Sequence, residues 1–131
     1  MEIIVGKTAG FCYGVKRAVE GCYNILENKQ NNEDVFCLGE IVHNADVVSD
    51  LKNKGLNFVE NINDTKGKVI VRAHGVSKEI YEQSKKSDIE LEDLTCPNVL
   101  KIHEIVQEYA DEGYYILLCG TKTHPETFFP Q

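Results

Sequence analysis

The chain has 131 residues, 42% of them hydrophobic, and carries 21 acidic against 14 basic side chains for a net charge of −7. That length holds one domain, or slightly less than two small ones, and the apolar fraction suffices for a core. The charge argues against a nucleic-acid groove, which needs a basic face, and against docking on anionic lipid.

Met1-Glu2-Ile3-Ile4-Val5 is short and acidic, unlike a signal peptide, and Ile3-Ile4-Val5 reads as a buried strand. Val15, Ala18, Val19, Cys22 and Leu26 then step at helical spacing, and polar Asn28 to Asp34 is a loop. Val35-Phe36-Cys37-Leu38 is a second strand; Val47, Val48 and Leu51 mark a short helix that Gly55 ends. Leu56 to Val59 suits an edge strand and Val69-Ile70-Val71 a buried one. Ser77 is placed to cap a helix running to about Ser87, and Ile89 to Leu94 alternates as a strand does. Pro97 suits the first turn of a helix carrying Val99, Ile102, His103, Val106 and Tyr109, closed by Gly113. Tyr115 to Leu118 is expected to form the last strand. It lies in the longest apolar run, Tyr114 to Cys119, which at six residues is far below the roughly 20 a membrane helix needs. Alternating strands and helices predict an α/β fold, a mostly parallel sheet covered by helices on both faces. A break near Thr95 to Asn98 divides it into a unit over 1–96 and an unfinished second unit over 97–131.

Five cysteines without paired spacing do not make a disulfide framework, so a reducing, cytoplasmic setting is expected. Cys22, His103, Cys37 and Cys119 fall inside expected helices and strands, where a thiol is most often a buried apolar group. Cys12, His43, His74, Cys96 and His124 fall instead in loops that follow strands. Parallel α/β sheets bind their ligands outside the carboxyl ends of the strands, so these five positions face the expected site.

Gly10-Phe11-Cys12-Tyr13-Gly14 is a glycine-flanked turn from strand to helix, and Thr95-Cys96-Pro97 sets a cysteine just ahead of a helix. Glycine lets backbone approach a bulky ligand, and a helix start offers N–H groups to a thiolate, the form that ligates metal. Cys12 and Cys96 are therefore candidate metal ligands. His43, His74 and His124 lie beside helix starts and are candidates for an anion pocket, with Glu126 a candidate proton donor. Read singly, each histidine is an ordinary loop residue and Glu126 a solvated carboxylate. Zinc competes for the same side chains, but the close ligand pairs of structural zinc are absent.

Taken together, Gly10-Phe11-Cys12 with Gly14-Val15 and Arg17-Ala18, Glu40 to Asn44, Ala73-His74-Gly75-Val76-Ser77, Thr95-Cys96-Pro97 and His124-Pro125-Glu126 resemble the LytB family of 4-hydroxy-3-methylbut-2-enyl diphosphate reductases. The likeness spans nearly the whole chain; each segment is weak alone, and five in order are specific. The resemblance implies reductive removal of a hydroxyl from an allylic diphosphate, giving isopentenyl and dimethylallyl diphosphates in the last step of the non-mevalonate isoprenoid pathway. It implies an iron–sulfur cluster of the 4Fe–4S type on three cysteines, the first two being Cys12 and Cys96. It makes His43, His74 and His124 diphosphate ligands and Glu126 the proton-relaying glutamate. An electron donor such as ferredoxin or flavodoxin is implied as partner.

Family members run to more than twice this length and fold as three similar α/β units. The chain is expected to supply the first unit, the start of the second and, in residues 1–12, a strand of the third. The third cysteine is absent, and Thr127 to Gln131 departs from the family pattern, so the chain alone is expected to be inactive. The competing classes are a non-catalytic α/β module binding a phosphorylated ligand or a protein, and a zinc-dependent hydrolase using Cys12, Cys96 and a histidine.

Overall fold

Phe36, Val69 and Leu91 stand side by side across three strands, and Cys37 and Ile70 stand side by side on the opposite face. This period-two alternation of apolar residues on both faces is what a sheet buried between two helical layers requires. The structure, a computed structural model, describes residues 1–120. Its strands are β1 (Val35–Leu38), β2 (Leu56–Val59), β3 (Lys68–Val71) and β4 (Glu90–Asp93). They form one parallel sheet in the order β2-β1-β3-β4. The helices are α1 (Tyr13–Asn28), α2 (Ala45–Asn53), α3 (Lys78–Lys86) and α4 (Pro97–Asp111), with a single 3-10 turn at Ile62–Asp64.

On one face, Ala18, Val19, Cys22 and Leu26 of α1 and Leu51 of α2 pack with Val35, Cys37, Leu56 and Ile70. On the other, Leu38 and Val69 join Ile62 of the 3-10 turn and Ile80 of α3. Of the positions its helical spacing predicts, Ala18, Val19, Cys22 and Leu26 are buried and Val15 is half-buried, while Gly14 is buried as well. The connection from β1 runs to β2 on one side, while β3 leads to β4 on the other. The strand order therefore reverses between β1 and β3. At such a switch point the two following loops diverge and leave a crevice at the carboxyl edge.

Two expected strands are not formed. Residues 1–6 are irregular, with Ile3, Ile4 and Val5 at 75%, 83% and 75% exposure. Residues 114–119 are likewise irregular, and Tyr115 and Leu117 are 93% and 81% exposed. A strand is stabilised by the ladder it joins, and among the described residues neither run has a ladder partner. Cys119, expected inside a strand, is exposed. Among the described residues, no helix is long and apolar enough to cross a membrane.

Candidate functional site

The carboxyl edge of the sheet carries the loops that follow β1, β3 and β4. After β1, Gly39 donates its N–H to the Val59 carbonyl at 2.8 Å, and Ile41 and Val42 turn inward to 0% and 9% exposure. Asn44 then caps α2, its side-chain oxygen accepting from the N–H groups of Asp46 and Val47 at 3.1 and 3.2 Å. Anchored on both sides, His43 is left exposed at the rim, its Nδ1 4.0 Å from a Glu40 carboxylate oxygen. After β3, buried Ala73 fixes the loop, and Gly75 turns back with φ +76 to donate to the Arg72 carbonyl at 3.0 Å. His74 sits between them with Nδ1 buried. The two loops bring the imidazoles of His43 and His74 to 5.9 Å between ring centres, tilted by 43°.

The loop after β4 is joined to this pair through backbone. Cys96 donates its N–H to the Ala73 carbonyl at 2.9 Å, one residue from His74. Thr95, 1% exposed, donates both N–H and hydroxyl to one oxygen of Asp93, at 2.9 and 2.5 Å. Tyr81 donates to the other oxygen at 2.7 Å; burial and the Asp93 carboxylate push its phenol up to about 12. Arg17 of α1 donates to the Thr95 carbonyl at 3.1 Å. Cys96 starts α4, ahead of Pro97, and Cys12 starts α1; neither thiol caps its helix through the side chain. Cys96 presses on the first turn of α1: a methyl group at Gly14 would lie 3.0 Å from the Cys96 Cβ. Only glycine permits that approach, and it holds α1, which begins beside Cys12, against the Cys96 loop. Cys12 is exposed and Cys96 half-buried. Cys12 also lines a groove of about 700 Å³ shared with Lys7 and Lys16.

Cys22 and Cys37 are both 0% exposed in the core. Burial pushes the Cys22 thiol up to about 12 and raises Cys37 further, as expected of thiols sealed among apolar side chains. His124 and Glu126 lie outside the described residues. His103, which the sequence places simply within a helix, brings its Cε1 towards Gly75, 3.5 Å from where a side chain there would begin. The signal was present in its spacing from Val99 and Val106, which with His103 make the half-buried stripe of α4. Among the described residues no group of three or more His, Cys, Asp or Glu is gathered to hold a metal. Cys12 and Cys96 stand at the starts of α1 and α4, and the described residues gather no set of metal-binding side chains around them.

The profile of the LytB protein family matches residues 3–128. A 4-hydroxy-3-methylbut-2-enyl diphosphate reductase of Caldanaerobacter subterraneus subsp. tengcongensis is 45% identical over 130 residues, covering 96% of this chain and 45% of that protein. The reductase of the Wolbachia of Brugia malayi is also 45% identical, over 129 residues, 96% of this chain and 42% of that protein. The chain thus spans less than half the length of these relatives. Among solved structures, the E-1-hydroxy-2-methyl-but-2-enyl-4-diphosphate reductase of Plasmodium falciparum superposes with a TM-score of 0.87 at 38% identity, over 93% of this chain and 38% of that one. A structure of (E)-4-hydroxy-3-methyl-but-2-enyl diphosphate reductase, the terminal enzyme of the non-mevalonate pathway, gives 0.81 at 41% identity, over 95% of this chain and 44% of that one.

Proposed function

Because the chain belongs to the LytB protein family, we propose that it supplies the diphosphate-binding crevice and two cluster ligands of a reductase that removes the hydroxyl of 4-hydroxy-3-methylbut-2-enyl diphosphate. The observation that carries this is the His43–His74 pair, 5.9 Å apart at the switch point and one backbone hydrogen bond from Cys96. Two imidazoles at that separation suit neighbouring oxygens of one diphosphate, each donating one N–H. The backbone link fixes their distance from the Cys96 loop, so a diphosphate bound here keeps its allylic end at a set reach from the thiols.

A 4Fe–4S cluster held in part by Cys12 and Cys96 would supply electrons and an open coordination position for the substrate hydroxyl. Overall, the C–O bond breaks, the hydroxyl leaves as water with one proton, and two electrons and a second proton complete the isoprenyl product. His124 joins the diphosphate ligands in this reading, and Glu126 delivers a proton. The electrons come from a carrier such as ferredoxin or flavodoxin. Residues 1–96 act as one unit, with 1–12 completing a third unit and 97–131 opening a second.

The test is a hybrid in which residues 1–131 replace the matching segment of the Caldanaerobacter reductase. Assayed without oxygen, with a chemical reductant and the allylic diphosphate, the hybrid is expected to turn over. A hybrid that folds and holds its brown cluster but does not reduce the substrate would overturn the reading.

A further inference from the structure

The two ends of β3 treat positive charge differently. At its start, the Lys68 side chain is 20% exposed and three carboxylates surround it: Glu33 and Glu90 at 3.8 Å and Glu92 at 3.7 Å. Just past its end, Arg72 is half-buried, and its Nε is buried with no hydrogen-bond partner among the described residues. No carboxylate among the described residues pairs with it, although acidic groups outnumber basic ones by 21 to 14.

A guanidinium carries five donors and keeps its charge. Burying one of those donors without an acceptor opposes folding, and a half-buried charge without a counter-charge adds to that. The position of Arg72 gives the arrangement a use. Its guanidinium crosses to Gly39 at the end of β1, where a side-chain carbon would stand 2.9 Å from Cζ and nearer still to Nη1. Gly39 has φ +70 and no Cβ, which leaves room for the group. Arg72 thus bridges the ends of the two strands whose following loops carry His43 and His74.

We propose that Arg72 is a further anion-binding residue of the crevice, the fixed positive charge under a phosphoryl group held by the two histidines. The proposal rests on the diphosphate reading above and adds the group that offsets the ligand's charge. Histidines alone donate hydrogen bonds, whereas a guanidinium keeps the site positive at any working pH.

The test is calorimetric titration of the 131-residue chain with inorganic diphosphate at several salt concentrations, for wild type, Arg72→Met and Arg72→Lys, with thermal melts in parallel. Arg72→Met is expected to weaken binding roughly tenfold or more and to flatten the dependence of log Kd on log salt. Arg72→Lys is expected to restore the salt dependence. If the Met variant does not fold, Arg72→Gln takes its place with the same expectation. Unchanged affinity in the uncharged variant overturns the proposal. So does equal weakening by Met and Lys with wild-type salt dependence, which marks a purely structural role. Absence of saturable binding by wild type overturns the diphosphate reading itself, and the role of Arg72 with it.

Discussion

Cys12 and Cys22 lie ten positions apart at the start and in the middle of one helix, in opposite surroundings: the first is exposed, the second sealed in the core. The chemistry expected of each follows. In the hybrid reductase carrying residues 1–131, Cys12→Ser and Cys96→Ser are predicted to abolish the brown absorbance of the proposed cluster, whereas Cys22→Ala keeps it. Full iron and sulfide content in either serine variant would refute the ligand assignment. Cys22 has a different signature. Burial raises its thiol from 9.0 to about 12, so as pH rises the unfolded chain gives up that proton first. Its contribution to stability is intact below about pH 9 and is lost progressively as pH climbs through about 12. Urea midpoints measured from pH 8 to 11 should fall less steeply for Cys22→Ala than for wild type; equal slopes would mean the thiol is not sealed. At the rim, His43→Ala is predicted to weaken diphosphate binding by about 1.5–3 kcal/mol, the usual value of a hydrogen bond to a charged group. Calorimetry checks this, and an unchanged affinity would remove His43 from the pocket.

Most elements were legible because their apolar pattern coincides with a partner inside the chain. Val69-Ile70-Val71 reads as a buried strand and is 0% exposed at all three positions. Ile3-Ile4-Val5 and Tyr115 to Leu118 have the same composition and are exposed, because periodicity reports what a segment would bury and not whether a neighbour is there. The strand-end placement of His43 and His74 could be read in chain order, since parallel connections put those loops at one edge. Their closeness could not: it comes from β1 and β3 being neighbours, although β2 lies between them in sequence. Arg72 escaped for the same reason, its contact with Gly39 crossing that pair of strands. The contrast between formed and unformed strands has a direct consequence. Ile70→Ala is predicted to cost about 2–5 kcal/mol, while Leu117→Ser changes the unfolding free energy by less than about 0.5 kcal/mol. Denaturant titration decides, and a large loss at Leu117 would show that residues 114–118 belong to the core after all. Asn44→Ala removes the side-chain cap of α2 and should cost about 1 kcal/mol, together with a shift in the His43 ring signals by NMR.

Over the whole molecule, the described residues leave a broad apolar surface uncovered. α4 has no buried residue, and Leu100, Ile102, Ile105 and Tyr109 on it are exposed, as are Ile3 to Val5 and Tyr114 to Leu118. A monomer seldom leaves so much apolar surface in water, and such surface usually marks an interface. The site is open in the same sense. Cys12 and Cys96 are two thiols, and the described residues gather no third ligand. Cys119 cannot be dismissed as a core residue, since it is exposed and outside any strand. Its neighbours Tyr115 to Leu118 are exposed too, so nothing among the described residues holds its thiol towards Cys96. On the proposed reading, a cluster held by these two thiolates alone would lack a third bond anchoring it against solvent and reductant. We therefore predict that the 131-residue chain, reconstituted anaerobically with iron and sulfide, binds less than one full cluster per chain and does not sustain reduction of the allylic diphosphate. The check pairs iron and sulfide analysis with the assay, and sedimentation fixes the oligomeric state of what is assayed. Steady turnover by a monomer with a stable cubane would show that the ligand set is wider than Cys12 and Cys96, and Cys119→Ser would then be the variant that separates a third thiolate from a non-cysteine ligand.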